Sequence, residues 1–305
     1  MLESVDHVLL TRFNVPTPGY ESLVRASDGW LEKRIALFEK YCLPSVRNQS
    51  DRRFHWLVYF DPDSPEWFIN RVRDANRDRI ITPLFRSAIS RQDLLEDLRN
   101  AVGNPGRYLL TTNLDNDDGL AADFTARLRG APSAGAASEG APSGGRSTAL
   151  YLSNGLIRSG QVLYRNQDLD NAFCSVLSSW DSPETCWADW HNRLGQSMPV
   201  VRLAGRPAWL QVVHGSNVSN RIHGIRVPPA AYRSLFPSLL DDLAEPTTAQ
   251  LLHDAAVLAP AREARDLARG LAKSLLLKTS GPDGADRLRA WAVRHSIRPV
   301  SPGKG

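Results

Sequence analysis

Five strand-forming residues, Tyr108, Leu109, Leu110, Thr111 and Thr112, run almost directly into Leu114-Asp115-Asn116-Asp117-Asp118-Gly119. Carboxylates are costly to bury unpaired. Their simplest home is the open carboxyl end of a buried parallel strand, where α/β sheets bind their ligands. Asp115, Asp117 and Asp118 repel one another at such close spacing. A hard divalent cation with oxygen ligands, Mn2+ or Mg2+, relieves that strain, and such an ion clamps a diphosphate and stabilises it as a leaving group. The alternative is a solvated acidic turn. A calcium-binding EF-hand loop is excluded: counted from Asp115, the glycine position holds Leu120 and the twelfth position Ala126.

The rest of the chain supplies a frame for that strand. His7 to Val15 reads as a first strand, broken by Pro16, Pro18 and Gly19. Leu31, Ile35, Phe38 and Cys42 recur at helical period, with Leu37 and Tyr41 widening the stripe, and Pro44 should end or kink that helix. Phe54 to Phe60 is apolar almost throughout, as a buried parallel strand should be, and it too ends in acids, Asp61 and Asp63. Trp67 to Arg79 predicts a helix and Ile80 to Leu84 a short edge strand. Ser90 and Asp93 form a capping pair ahead of Leu94, Leu95 and Leu98. Leu120 to Leu128 predicts a short helix. Thr148 to Ser153, Gly155 to Arg158, Gln161 to Tyr164, Pro199 to Leu203 and Ala208 to Val213 predict further strands, with a tight hairpin at Ser159-Gly160. The fold class expected is α/β: a doubly wound mixed sheet with a Rossmann-like nucleotide-binding half and a helical C-terminal tail.

Residues 131–147 are dominated by Ala, Pro, Ser and Gly without periodicity and predict a flexible surface insertion. Strand-like sequence resumes at once, so the expected domains are 1–245, containing that insertion, and a helical extension over 246–305. The extension carries ten Lys and Arg against five Asp and Glu, whereas the remainder carries 27 against 28. A nearly neutral body argues against nucleic acid as a partner. The basic tail is expected to be a solvated helix face or a contact with anionic lipid. Three widely spaced cysteines, Cys42, Cys174 and Cys186, suggest neither a disulfide framework nor a zinc site. With no signal peptide and no membrane-span pattern visible, the expected location is cytoplasmic, with peripheral contact at the inner membrane face as a further expectation.

If the sheet is parallel, Asp61/Asp63 and Asp115/Asp117/Asp118 face one edge, which favours a nucleotide and a metal there. His214 follows a strand and is a candidate imidazole ligand to the same metal. Asn217, Asn220 and Arg221 lie in the small-residue loop after it, where they could hydrogen-bond phosphate oxygens.

Pro44-Ser45-Val46-Arg47-Asn48-Gln49-Ser50, then Phe54-His55-Trp56-Leu57-Val58 and Asp61-Pro62-Asp63-Ser64, resembles the opening of family-two-like glycosyltransferases of GT-A fold. There a helix ending in Ser-Val-x-x-Gln leads to a strand and an acidic turn that holds the nucleotide base. Leu114 to Asp118 resembles their Asp-x-Asp metal motif. More narrowly, His7 to Asn14, the acidic motif and Trp209 to Arg221 resemble a rhamnosyltransferase family, collinear over roughly Val5 to Arg226. The resemblance implies a nucleotide-sugar donor and a carbohydrate or other hydroxyl acceptor. It implies nucleotide contacts from Arg12, Asn14, Asp61, Asp63 and Asp115, with Asp61 on the nucleobase and Asp115 near the ribose or a metal-bound water. Asp117, Asp118 and His214 would be metal ligands. An inverting enzyme needs a carboxylate base. Ser175-Val176-Leu177-Ser178 stands where the family's acid is expected, so the candidates are Asp181, Glu184 and Asp189, with Glu184 preferred and His191 as the other group in that region.

Two other functions fit parts of the pattern. Phe60-Asp61-Pro62-Asp63-Ser64 also resembles the nucleophile turn of haloacid-dehalogenase-type phosphohydrolases. That chemistry wants a lysine before the later acids, and the chain has none between Lys40 and Lys273. A catalytically inactive glycosyltransferase-like binding protein would explain the missing acid near Ser178.

Overall fold

The computed structural model describes residues 5–16, 29–135, 146–214 and 222–268. The chain divides into two units, Met1–Thr247 and Thr248–Gly305.

In the first unit the N-terminal apolar run forms β1 (Val5–Arg12). The next stripe forms α1 (Trp30–Leu37), a π-helical turn (Phe38–Cys42) and α2 (Leu43–Arg47). Pro44 does not end this helix. The N–H of Leu43 reaches back to Phe38 O, a wide turn that lets Pro44, which has no N–H to donate, fall in the first turn of a new segment. β2 (His55–Phe60), α3 (Glu66–Ala75), the edge strand β3 (Thr82–Phe85), α4 (Arg91–Val102) and β4 (Tyr108–Asn113) follow. Ser90 and Asp93 form the reciprocal capping box expected of them. After the acidic turn the chain makes β5 (Gly119–Leu120) before entering α5 (Phe124–Gly135). The helix expected from Leu120 therefore starts later. Helix also extends over 131–135, the first part of the expected insertion, whose residues 136–145 lie outside the described residues. The unit continues with β6 (Thr148–Leu152), β7 (Asn154–Ser159), β8 (Val162–Gln167), β9 (Ser175–Ser179), β10 (Val200–Leu203), β11 (Trp209–Val213) and β12 (Ile225–Arg226).

Seven strands form one sheet in the order β10-β6-β9-β4-β1-β2-β3, all parallel except β9. Its inner strands are buried on both faces, with period-two alternation, while the edge strands β3 and β10 are not. Along β2, Trp56, Val58 and Phe60 enter the core under α1, α2, α3 and α5, while Leu57 and Tyr59 enter the core under α4. A second sheet, β12-β8-β7-β11-β5, buries Leu156, Leu210 and Val212 against Phe236, Leu239 and Leu240. Gly155 faces the ring of Trp209 so closely that a Cβ there would lie 2.0 Å from it, and that ring stacks on Phe173 with centroids 5.2 Å apart.

β9 is the strand that the sequence pattern concealed. Its serines are buried yet bonded: Ser175 Oγ lies 2.8 Å from Thr112 Oγ1, and Ser178 Oγ donates to Glu184 O. A strand whose hydroxyls have partners need not look apolar.

In the second unit, α6 (Thr248–His253) passes through a π-helical turn (Asp254–Leu258) into helix that runs to the last described residue. Arg262 clamps Asp254 with two hydrogen bonds of 2.9 and 2.8 Å. Among the described residues no helix is long and apolar enough to cross a membrane. The three cysteines are buried and unpaired by disulfide.

Candidate active site

The chain lays β2 and β3 on one side of β1 and β4 on the other. The carboxyl ends of β1 and β4 are therefore a topological switch point, where an open α/β sheet leaves a crevice for ligands. The acidic turn stands at that point. Asp61, at the end of parallel β2, stands on the same edge, as the two strand-end acids predicted.

The carboxylates of the turn are not equivalent. Asp115 is exposed, and Asn113 Nδ2 lies 3.4 Å from its Oδ1. Asn116, Asp117 and Asp118 are buried. Asn116 fixes the turn to β1's end, donating to Phe13 O at 2.7 Å and Arg12 O at 3.3 Å. Asp117 Oδ2 receives two groups, Nη1 of Arg34 from α1 at 2.6 Å and Nε2 of His214 from the end of β11 at 2.8 Å. Burial alone would raise the Asp117 carboxyl, but the His214 hydrogen bond and the Arg34 charge outweigh it and hold the group below the usual carboxylate range. Asp118 turns away. Its Oδ1 accepts the backbone N–H of Val212 at 2.8 Å, and burial, with Asp117 and Asp115 nearby, pushes its carboxyl well above the usual range. Under the turn, burial and then the same three carboxylates push the Cys42 thiol up.

The predicted nucleotide residues sort into two kinds. Asn14 holds the turn after β2, accepting Asp61 N–H at 3.0 Å and donating to Ser64 Oγ at 2.9 Å. Asp61 Oδ1 accepts the N–H of Asp63, and Asp63 itself is exposed. Arg12 is exposed at the end of β1, its guanidinium 4.2 Å above the Trp187 ring. Asn217, Asn220 and Arg221 lie outside the described residues.

The expected catalytic acids all follow β9. That strand runs antiparallel to β4, with Ser179 opposite Tyr108 and Ser175 opposite Thr112. It carries the chain to the amino edge of the sheet, where Trp180 Nε1 donates to Asp6. Asp181 is thus about 20 Å of strand away from the acidic turn. Glu184 pairs with Arg91 of α4 at 2.8 Å. The chain then climbs back: Cys186 N–H donates to Thr111 Oγ1, and Trp187 Nε1 donates to Asn113 Oδ1 at 2.7 Å. Asp189, two residues further, is the acid of this loop that returns to the carboxyl edge, and it is exposed. His191 offers its carbonyl to the Tyr151 hydroxyl, and burial lowers its ring's pKa.

The divalent ion implied by the turn does not fit these side chains as they stand. Asp118 is committed to Val212, and Asp117 Oδ2 already faces a guanidinium and an imidazole. Among the described residues no group of three His, Cys, Asp or Glu side chains converges to hold a metal.

Arg34 and Trp187 are the contributors that the sequence did not reveal, and Gln49, noted only as part of a motif, gains its role from the structure. Arg34 follows Trp30 by one helical turn at the margin of the apolar stripe, and a cation there is the signal that was available. The Gln49 amide receives Thr125 N–H and donates to Ser45 O and Ala121 O, so it locks the end of α2 to the segment after β5.

An open, mostly parallel α/β sheet with an acidic turn at its switch point is a domain of the doubly wound kind. Residues 6–226 match the family described as "Putative rhamnosyl transferase", and the chain belongs to that family. No curated protein matches the chain. Similar solved structures include S. aureus TarS, 10% identical, with 68% of this chain and 37% of that chain covered at a TM-score of 0.41. S. aureus TarS 1-349 in complex with UDP is 9% identical over 68% and 60%, at 0.34. The inositol-1-phosphate CTP transferase from T. maritima is 10% identical over 78% and 98%, at 0.35. The chain thus spans little more than a third of the length of TarS.

Proposed function

We propose that this protein is a glycosyltransferase that moves a sugar, rhamnose in the reading that the family's description suggests, from a nucleoside-diphosphate donor to a hydroxyl acceptor. The observation that carries the reading is Asp117, presented at the switch point of the sheet between Arg34 and His214, in a chain of this family. The base would lie over the edge between β1 and β2, with Asp61 beside it on the turn that Asn14 holds. The diphosphate would lie toward the acidic turn, where Arg34 and His214 place positive charge or N–H donors against developing phosphate charge.

In the transfer the bond between the anomeric carbon and the diphosphate oxygen breaks, and its electron pair leaves with the diphosphate. The acceptor oxygen forms the new bond to that carbon and gives up its proton. Asp189 is the carboxylate we assign to take it, because Trp187, two residues before it, is bonded to Asn113 at the carboxyl end of β4, whereas Asp181 follows the amino-edge end of β9 and Glu184 is already paired with Arg91. The test is calorimetric titration with a panel of nucleoside diphosphates, followed by detection of diphosphate released from the matching nucleotide sugar. Binding of one nucleoside diphosphate in preference to the others, and release of that diphosphate from the matching nucleotide sugar, are expected. A folded protein that binds no nucleoside diphosphate overturns the reading.

A further inference from the structure

The acidic turn predicts a divalent cation, and the side chains around it do not make a seat for one. What they do hold is a cation of the protein's own. Arg34 Nη1 lies 2.6 Å from Asp117 Oδ2 and 3.1 Å from Asn116 Oδ1. The Arg34 side chain is 15% exposed and that of Asp117 6%. The guanidinium also lies over the Trp30 ring, 5.2 Å from its centroid. Resting on the transferase reading above, we propose that Arg34 stands in place of the metal: the protein binds its nucleoside diphosphate through this guanidinium, without a divalent ion.

Three observations support this. Nη1 serves Asp117 and Asn116, while Nε and Nη2 have no partner among the described residues. A guanidinium with those donors left over can meet two phosphate oxygens at once, in the planar fork that suits phosphate. Second, Asn116 is itself tied to Phe13 O and Arg12 O, so the guanidinium is positioned against the end of β1, at the switch point, before any ligand arrives. Third, a divalent ion on Asp117 would have to displace Arg34 or stand beside it, and two cations sharing one carboxylate oxygen repel. It would also lack Asp118, which is engaged by Val212 N–H.

The test uses the full chain, with uridine, deoxythymidine and guanosine diphosphates as probes. Titrations are run with a chelator and with Mn2+, on the wild type, Arg34→Gln and Arg34→Lys. Free Mn2+ is followed separately by its paramagnetic resonance signal in the presence of protein alone. The wild type is expected to bind its preferred diphosphate equally, within about threefold, under both conditions. Arg34→Gln, which keeps a donor for Asp117, is expected to lose about 30-fold, as one charge-assisted contact does, and Arg34→Lys less. Mn2+ is expected to stay free over the wild type. Diphosphate binding that requires Mn2+, stoichiometric Mn2+ binding by the wild type alone, or undiminished binding by Arg34→Gln overturns the inference and leaves the transferase reading standing. Binding of no diphosphate under either condition overturns both.

Discussion

Asp118 and Val212 tie the acidic turn to the second sheet of the first unit: the carboxyl group of one accepts the backbone N–H of the other at 2.8 Å, out of contact with solvent. Val212 is two residues before His214, so this bond sets where the imidazole meets Asp117. Asp118 therefore serves this turn as a hydrogen-bond acceptor. Asp118→Asn, which keeps an oxygen in the same place, should unfold within about 1 kcal/mol of the wild type and bind the diphosphate normally. Asp118→Ala should cost about 1–3 kcal/mol by orphaning a buried N–H. Denaturant unfolding and calorimetry check both. A loss of binding in Asp118→Asn without a loss of stability would instead give that carboxylate a direct role at the ligand.

Gln49 supplies the second prediction. Its buried amide donates to the carbonyls of 45 and 121 and accepts the Thr125 N–H, while the Thr125 hydroxyl lies between Gln49 Oε1 at 3.0 Å and Asp51 O at 2.8 Å. Gln49→Leu fills the space but takes this partner from the two carbonyls and from the Thr125 N–H, while the Thr125 hydroxyl keeps Asp51 O. A loss of about 2–4 kcal/mol is expected in denaturant unfolding, with Gln49→Glu also destabilising because it loses the donors to both carbonyls.

His7 should make stability depend on pH. The ring is 1% exposed on β1, Nε2 lies 2.9 Å from Thr112 Oγ1, and burial, with Arg129 nearby, lowers its pKa to about 3. In the unfolded chain the same ring titrates near 6.5. Between those values the unfolded state binds the extra proton, so the His7 contribution to stability is fully present above about 6.5 and is lost as pH falls toward 3. The slope is about 1.4 kcal/mol per pH unit. Carboxylates add their own dependence, so the measurement is the difference between the wild type and His7→Gln across pH 6 to 4, chosen as roughly the middle of that window. Parallel curves would show that the ring is not held neutral.

Much of this arrangement could be read from the chain itself. β2 announces itself by an almost unbroken apolar run and β1 and β4 by apolar and β-branched stretches, as strands buried on both faces should, and the acids after β2 and β4 fall on one edge because the strands are parallel. Ser45-Val46-x-x-Gln49 could be recognised as a motif, and the structure supplies its reason in the amide network. Other features depend on tertiary partners that no local pattern records. β9 hides because Thr112 and the Glu184 carbonyl satisfy its serines. The expected metal seat depended on three equivalent carboxylates, whereas Val212 removes one and Arg34 neutralises another. Asp181 and Asp189 look interchangeable eight residues apart in sequence. A strand running antiparallel and a chain that doubles back put them on different edges.

That last difference yields the sharpest prediction about chemistry. If Asp189 takes the acceptor's proton, Asp189→Asn should lower kcat for diphosphate release about 100-fold or more while the KM for the nucleotide sugar changes little, since a base acts in the transition state and not in donor binding. Water can serve as the acceptor in this assay, because it too must lose a proton. Asp181→Asn removes a carboxylate from the amino edge and should leave kcat within about threefold. Glu184→Gln breaks only an exposed pair with Arg91 and should cost under about 1 kcal/mol of stability, again with kcat nearly intact. A collapse of kcat in Glu184→Gln, with Asp189→Asn active, would move the base to Glu184 and require the loop from Ser182 to Trp190 to rearrange when the acceptor binds.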